Sequence, residues 1–525
     1  MNFKVFFYSI TFLSVFCAFG QSTIEGDLIQ LSRLTFDKSP IIKRNELQID
    51  NSEASFQIQR STFDYQFSSG LSLSNKRDHL FTLDSRNVIL GNDDIIETRN
   101  TGFSLALQRK FRTGLSANIN VDYSQLADNF PIDRFNQNVG EFISNHTVSS
   151  TFSLTQPLLR GRGLKITTAQ EKSASLQLES TQYNFELTSS FELLQMGVAY
   201  WQYLAAYKNL AVFKQNEERV GNVLRITKEL VKADKKPAGD LIQIMADLAN
   251  QERQTRVAEQ NLHNARVNLS RAIGLDERES TQIGIPTNEF PTIDTSGFDE
   301  NIAVDLFINL AKENRKDLKA FEKQLQALEL RLDLAFNNRK PQLDLTGFVS
   351  YGGMNMGNGV QQAFNSVSNT EGRNYTVGAR LNLSFPISNN LARGTFLQNK
   401  TAVTDQEIAT NNLGRNIDLN VSIALNNLKN SVLILQKAEE TLGYYQNVFA
   451  NEQIKFQNGL TTLLNLILFQ ERLTFAQLEY LQAQQQFATA IINLRHETGT
   501  LITMQENRLV LSSITNDIYY TIPNF

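Results

Sequence analysis

The sequence predicts an α+β fold in which strands of strict alternation are joined to very long helices, and this plan occurs twice along the chain. Alternating apolar and polar residues recur in six short segments, and two long tracts without proline carry apolar residues at helical spacing. The stretch FSLTQPLLRGRGLKITTAQ, Phe152–Gln170, passes from an alternating run into such a tract, and RLNLSFPISNNLARGTF, Arg380–Phe396, makes the same passage again. The recurrence of the whole passage from strand to helix indicates a duplicated architecture.

The composition excludes wholesale disorder and gives no support for a nucleic-acid partner. Of the 525 residues, 20% are charged and 41% are hydrophobic, and a net charge of −4 offers no basic surface for phosphates. Beyond the amino terminus no run of about 18 apolar residues occurs, so the sequence predicts no transmembrane helix.

Residues 1–20 are predicted to be a cleaved secretory signal, because an apolar stretch follows Lys4 and ends in small residues before Gln21. Cys17 is the only cysteine and lies inside this signal, so the mature chain is expected to form no internal disulfide. Lipid attachment at Cys17 stays open, although Phe16 stands where such a site favours a small residue.

The alternating segments predict strands with one apolar and one polar face. Their apolar positions are Phe63, Tyr65, Phe67, Leu71 and Leu73; Phe103, Leu105 and Leu107; Leu115, Ala117, Ile119, Val121 and Tyr123; Val148, Phe152 and Leu154; Leu343, Leu345, Val349 and Tyr351; Tyr375, Val377, Ala379, Leu381, Leu383 and Phe385. Two interpretations fit this pattern: an antiparallel soluble sandwich, or a membrane β-barrel with lipid outside and a wet lumen.

The helical tracts favour the barrel. They run from Leu164 to about Ala233 and from about Phe396 to Gln457, and each would be on the order of 100 Å long, which no compact sandwich needs. Steps of four and three residues predict a coiled-coil seam in each tract. The seam positions are Leu187, Phe191, Leu194, Val198, Trp201 and Ala205 in the first, and Ile417, Val421, Ala424, Leu428, Ser431, Leu435, Ala438, Leu442 and Tyr445 in the second.

Each tract is predicted to turn once and return as a second helix. The turns are KADKKPAGDLI, Lys232–Ile242, and FQNGLTTLLNLI, Phe456–Ile467, in which Asp240 and Asn465 correspond at a spacing of 225 residues. The returning helices end at Gly274 and Gly499, at the same spacing, and glycine there predicts left-handed C-caps.

The two passages from strand to helix are predicted to be joints. Pro157 and Pro386 cannot donate a ladder hydrogen bond and therefore suit strand ends. Gly161 and Gly163 in the first joint, and Gly394 in the second, are expected to supply the unusual backbone dihedrals that the change of direction needs.

At this point the sequence resembles the TolC family of outer-membrane channel proteins over nearly all of the mature chain. The resemblance is carried by TQPLLRGRG and SFPISNNLARG, by AYWQYLAAYKNL, by the helix ends at AIG and ETG, and above all by their duplicated order. It implies a homotrimer whose outer-membrane β-barrel, with about four to six strands per protomer, continues into a periplasmic α-helical coiled-coil barrel. It also implies a passive exit duct that works with a periplasmic adaptor and an inner-membrane transporter.

The expected organisation follows from the repeat. Residues 1–20 form the signal, residues 21–295 the first repeat and residues 296–500 the second, with residues 501–525 as a periplasmic tail. The first repeat holds strands within 63–157 and a helical hairpin at 164–275, and the second holds strands within 341–386 and a hairpin at 396–499. The first strand region is about 48 residues longer than the second and carries an extra hairpin around Arg112–Gly114, which departs from the four strands per protomer that the family implies.

The resemblance places the two helix turns at the periplasmic tip. Ala238, Gly239, Gly459 and Leu460 are the expected adaptor-docking surface. The possible mouth residues are Asp234, Asp240 and Asn465, and since the second turn lacks the acidic residues that are common in the family, cation selectivity is not expected to carry over.

The sequence supports no enzyme and no cofactor. The four histidines, His79, His146, His263 and His496, are scattered and are expected at the surface. No phosphate loop or nucleophile motif occurs. The glycines Gly352, Gly353, Gly357 and Gly359 are expected in an extracellular loop with no helix directly after it. Trp201 and its neighbouring tyrosines are expected to be core. Two functions stay open: a trimeric efflux or secretion duct in contact with outer-membrane lipid, and a periplasmic coiled-coil adaptor or scaffold.

Overall fold

The computed structural model describes residues 24–90, 94–130, 141–299, 302–368, 373–502, 504–505, 508–509, 515 and 517–524. The predicted signal, with Cys17 and the expected start of the mature chain at Gln21, lies outside the described residues.

Long helices and long strands share the described chain. The strands are β1 Ile24–Gly26, β2 Tyr65–His79, β3 Ile95–Lys110, β4 Ser116–Asp128, β5 Ile143–Pro157, β6 Ile283–Pro286, β7 Gln342–Met356, β8 Arg373–Ser384, β9 Met504–Gln505 and β10 Arg508–Leu509. The helices are α1 Leu28–Lys38, α2 Pro40–Arg60, α3 Ser85–Ile89, α4 Leu164–Thr167, α5 Ala169–Lys232, α6 Ala238–Ile273, α7 Glu277–Thr281, α8 Ile293–Ser296, α9 Val304–Asn314, α10 Lys316–Asn337, α11 Val360–Ser368, α12 Asn390–Gln457, α13 Leu463–Glu497 and α14 Asp517–Tyr520. Within these described ranges, no helix combines the length and the apolarity needed to cross a membrane.

The chain divides into two compact units, each built from separate segments. The helical unit takes the described residues of Met1–Glu46, Asn184–Lys316 and Gly414–Phe525, and the sheet unit takes those of Leu47–Tyr183 and Asp317–Leu413. These units cut across the two predicted repeats, because each unit draws segments from both.

The sheet unit contains one six-stranded antiparallel sheet in the order β2-β3-β4-β5-β7-β8. The six alternating segments predicted from the sequence form these six strands. The expected extra hairpin is present as β3 and β4, joined by a tight turn in which the Phe111 amide donates to the Leu115 carbonyl at 2.7 Å. Gly114 supplies the left-handed residue of this turn, with φ of 98°.

The core of the helical unit is built around aromatic residues of α5. Trp201 and Tyr200 are completely buried, and the Trp201 ring lies 5.6 Å from that of Phe290 and 5.8 Å from that of Tyr520. The expectation that this aromatic group is core is therefore confirmed.

The predicted seams are confirmed only in part. In α12, Ile417, Val421 and Leu428 are buried as expected. In α5, however, Phe191 is 46% exposed, and the burial instead includes Leu193 and neighbours such as Met196 and Leu204. Because α5 contacts more than one neighbouring element, its buried stripe is broader than a two-position seam.

Glycine ends both returning helices, as predicted. Gly274 after α6 has φ of 92°, and Gly499 after α13 has φ of 69°. A β-carbon at Gly274 would lie 2.9 Å from Pro40 Cδ, and one at Gly499 would lie 2.9 Å from the Arg315 amide nitrogen. Both positions therefore need glycine for the backbone angle and for the close approach of the chain.

The described part of the carboxy-terminal tail docks onto α13 and α5. The buried Arg495 guanidinium donates to the Thr521 carbonyl at 2.6 Å, to its hydroxyl at 2.7 Å and to the Ile522 carbonyl at 3.1 Å. Burial lowers the pKa of Arg495 to about 10. Tyr519 is fully buried against Gly197, where a β-carbon would lie 2.9 Å from the tyrosine ring.

Candidate functional site

One face of the sheet is apolar across all six strands. A single row of paired residues runs through the sheet, and each side chain in it is 39% to 69% exposed. The row consists of Phe67, Leu107, Ile119, Phe152, Val349 and Val377. We call the side of the sheet that carries this row the apolar face. A contiguous exposed apolar surface of this kind marks contact with a membrane or a protein.

The opposite side, which we call the polar face, carries the adjacent row of paired residues, one position along each strand. That row consists of Ser68, Ala106, Asn120, Thr151, Ser350 and Thr376. The Thr151 and Ser350 hydroxyls lie 3.0 Å apart and form a hydrogen bond. The period of two along each strand therefore separates a surface suited to lipid from one suited to water.

The first joint has the backbone geometry that its sequence predicts. Pro157 is the last residue of β5, and Gly161 and Gly163 both have left-handed φ angles, of 78° and 93°. The Thr167 hydroxyl donates to the Gly163 carbonyl at 2.9 Å, and the Gly161 amide donates to the Asn337 side chain at 2.8 Å. The turn from strand to helix is thus held by side chains from α4 and α10.

The second joint corrects the prediction for Gly394. Pro386 follows the end of β8, but Gly394 lies inside α12, where no left-handed angle is needed. The left-handed residue of this joint is Asn389, with φ of 46°, and its side-chain amide donates to the Arg339 carbonyl at 3.0 Å. Asparagine tolerates this conformation because its short polar side chain bonds locally.

The extra hairpin is fastened to α5 by a charged pair that sequence reasoning missed. Arg112, in the β3–β4 turn, donates two hydrogen bonds to the Glu171 carboxylate, at 2.9 and 2.6 Å. Hydrogen bonding to Arg112 lowers the pKa of Glu171. The pair joins residues far apart in sequence, so no local pattern could have indicated it.

The two helix turns have the same hydrogen-bond pattern. We call residues 233–237 the first turn and residues 458–462 the second turn. In the first turn the Lys235 amide donates to the Leu230 carbonyl at 2.9 Å, and in the second the Leu460 amide donates to the Lys455 carbonyl at 2.8 Å. Both turns thus close their helices with the same backbone hydrogen bond between residues five positions apart.

The structure brings the two turns together. The Lys236 ammonium lies 3.5 Å from the Thr461 carbonyl and 5.2 Å from the centre of the Phe456 ring. Beneath them Phe456 and Leu463 are buried, each 2% exposed, in one apolar cluster shared by both hairpins.

The expected docking residues differ in their surroundings. Leu460 is 77% exposed, so its side chain has little packing within the chain. Gly459 is left-handed, with φ of 75°, and is therefore required by the turn itself. Ala238 and Gly239 are the first two residues of α6 and have ordinary helical angles.

The expected mouth residues lie at these turns, with one acidic neighbour that sequence reasoning missed. Asp234 lies in the first turn and Asp240 in the first helical turn of α6, while Asn465 donates its amide to the Thr462 hydroxyl at 3.3 Å. Glu452, near the end of α12, accepts a hydrogen bond from the Thr461 hydroxyl, and this bond lowers its pKa. Glu452 precedes the turn by several residues, which is why the turn sequence alone did not reveal it.

The histidines and metal ligands need one correction. His146 was expected at the surface, but it is 1% exposed and contacts the Tyr123 hydroxyl and the Gly357 carbonyl. Within the part of the chain that the structure describes, no three His, Cys, Asp or Glu side chains cluster as metal ligands would.

The described chain combines an alternating six-stranded sheet with two long helical hairpins, a combination that also occurs in solved outer-membrane channels. Residues 307–500 match the protein family described as "Outer membrane efflux protein". No curated protein matches the sequence.

Solved structures of channels have the same fold. The CmeC outer membrane channel of Campylobacter jejuni matches with a TM-score of 0.62 at 14% identity, over 94% of this chain and 89% of that one. VceC of Vibrio cholerae matches with a TM-score of 0.61 at 12% identity, over 90% and 96%. The MtrE channel of Neisseria gonorrhoeae matches with a TM-score of 0.59 at 13% identity, over 90% and 88%. The resemblance stated from the sequence is thereby confirmed.

Proposed function

We propose that the chain is one protomer of a homotrimeric efflux or secretion channel in the outer membrane. The observation that carries the proposal is the row from Phe67 to Val377, which is apolar and exposed on all six strands and faces away from a polar row. Such a surface is stable in lipid and unfavourable in water. The family match of residues 307–500 supports the same conclusion.

The two edges of the sheet support the proposed trimer. β2 and β8 each pair on one side only, and their apolar residues are more exposed than those of the inner strands, as at Tyr65 (65%) and Tyr375 (80%). Since the strands alternate in direction, β8 of one protomer meets β2 of the next in antiparallel orientation. Three sheets then supply about eighteen strands, within the range of water-filled barrels.

The alternative of a periplasmic adaptor or scaffold is less well supported. It would account for the long helices α5 and α12 but would leave the apolar face uncovered. The equivalent hydrogen bonds of the two helix turns support the proposed duplication, with residues 21–295 as one repeat and 296–500 as the other.

The channel itself is passive and needs no cofactor. Transport is driven by an inner-membrane transporter, to which a periplasmic adaptor connects the channel. The adaptor docks at Ala238, Gly239, Gly459 and Leu460, and Asp234, Asp240 and Asn465 border the mouth. The joints at Pro157, Gly161, Gly163 and Pro386 connect the barrel to the helical tunnel.

Fractionation and reconstitution test the proposal. We expect the protein in the outer-membrane fraction, with a mass three times that of the chain in mild detergent and with open-channel currents in planar bilayers. Deletion should sensitise cells to exported compounds or remove proteins from the medium. Release of the protein in soluble form by osmotic shock, or a monomeric mass, would contradict the proposal.

A further inference from the structure

The loop between β7 and β8 contains a helix, α11, which the glycines before it did not predict. Gly357 and Gly359 have left-handed φ angles of 124° and 109°, and the helix begins directly after them at Val360. It packs on β7 and on β5, so it reaches across the sheet away from the free edge at β8.

Helix α11 lies on the apolar face. Asn355 shares the face of Val349, because the two positions differ by an even number along β7. The Asn355 side chain donates to the Gln362 side chain at 2.6 Å. His146, which pairs with Asn355, donates from Nε2 to the Gly357 carbonyl at 3.0 Å. The helix is thus fixed to the far end of the apolar face by a polar layer.

The amphipathic pattern of α11 is inverted. Val360, Phe364 and Val367, spaced for one helical face, are 75%, 68% and 54% exposed. The side that packs on the sheet carries Ser366, which is 1% exposed, and Gln362. A helix in water turns its apolar face inward, so this arrangement requires an apolar surrounding on the outer side.

A second loop at the same end of the sheet has the same property. It joins β2 to β3, and because β2 and β7 run in the same direction it lies at the same end as α11. Phe81, Leu83 and Val88 in this loop are 85%, 99% and 83% exposed. Two separate loops therefore present large apolar side chains at this end.

We propose that α11 lies in the interfacial layer of the outer leaflet, with Val360, Phe364 and Val367 directed toward the acyl chains. This inference rests on the proposed function, since it takes the apolar face to be the lipid-facing side. A second copy of the chain is a poorer occupant, because β8 separates α11 from the edge at which the next protomer pairs. An amphipathic helix binds at the boundary between headgroups and acyl chains through the apolar area that it buries there.

The predicted mature chain contains no cysteine, so a single introduced cysteine can be labelled specifically. Three single-cysteine variants of the full-length trimer, Phe364→Cys, Val377→Cys and Thr376→Cys, are labelled with an environment-sensitive nitrobenzoxadiazole dye and reconstituted in phosphatidylcholine vesicles. Val377 belongs to the apolar face and its neighbour Thr376 to the polar face, so they serve as matched references. Quenching is measured with brominated lipids and with aqueous iodide.

We expect the label at residue 364 to be quenched in the same way as the label at residue 377. Lipids brominated near the headgroup should quench it strongly, and iodide should quench it severalfold less than it quenches the label at residue 376. Quenching of the 364 label by iodide alone would overturn the inference, as would protection from both quenchers, which would indicate a protein partner. If the labels at 376 and 377 do not differ, the membrane assignment of the sheet fails as well, and this result is distinct from failure at residue 364 alone.

Discussion

Asp234 and Gly459 adopt the same left-handed backbone conformation at corresponding positions of the first and second turns, with φ angles of 54° and 75°. An L-residue in this region is strained by about 1–2 kcal/mol, and less for aspartate. The first turn therefore retains strain that the second avoids through glycine.

The first prediction follows from this relationship. Gly459→Ala should lower the free energy of unfolding by about 1 kcal/mol, because alanine disfavours φ above zero. The matched control is Gly239→Ala, which introduces alanine into an ordinary helical position and should be neutral or stabilising by up to about 1 kcal/mol. Loss of helical circular dichroism on heating in detergent measures both. An equal decrease in the two variants would show that the left-handed angle is not the cause.

The second prediction concerns adaptor docking. Leu460→Asp should leave assembly and thermal stability unchanged, because the side chain is 77% exposed, while export should fall severalfold if a partner covers it. Leu463→Asp, at a site 2% exposed, is the contrast and should lower stability by several kcal/mol through burial of a charge. Drug sensitivity of the cells and the mass of the purified protein in mild detergent are the two readouts. Normal export by Leu460→Asp cells would remove Leu460 from the docking surface.

The third prediction compares the glycines of the joints. Gly163→Ala should destabilise by about 1 kcal/mol, because the residue has φ of 93°. Gly394→Ala should stabilise by roughly 0.5–1 kcal/mol, because the residue lies inside α12. The temperature at which heated samples lose the gel band of the proposed trimer gives the direction of each change. The opposite order would show that Gly394, as the sequence predicted, takes an unusual backbone angle and that Gly163 does not.

The sequence predicted the strands well because their period of two follows from the backbone, and the six alternating segments all lie in the sheet. The prediction for Gly394 was wrong because a glycine can adopt an unusual backbone angle without having to do so. Asn389 takes the left-handed angle of this joint instead. Helix α11 was missed because the sequence analysis assumed that apolar helical residues face inward. In α11 they face outward. The Arg112–Glu171 pair was beyond the reach of the sequence analysis because the contact depends on tertiary folding.

The last prediction concerns alkaline stability and the carboxy-terminal tail. Tyr519 is fully buried, and burial raises its pKa above the usual value near 10. A group whose pKa is raised in the folded state contributes stability that is fully present below the unfolded pKa and is lost as the pH rises toward the folded pKa. Docking of the tail should therefore become less stable above about pH 10, where the tyrosine ionises in the unfolded state and stays neutral when buried.

Tyr519→Phe removes this ionisation and should flatten the fall in stability between about pH 9 and pH 11, relative to the unchanged chain. At neutral pH the variant should lose only about 1 kcal/mol, because the Ser32 hydroxyl that bonds Tyr519 at 2.8 Å retains its bond to the Leu28 carbonyl at 2.6 Å. Tyr444→Phe, at a site 64% exposed, is the control and should leave the pH profile as it is. The effect is measured by proteolysis of the tail across this pH range, followed by mass spectrometry. Identical profiles for Tyr519→Phe and the unchanged chain would show that ionisation of Tyr519 does not govern release of the tail.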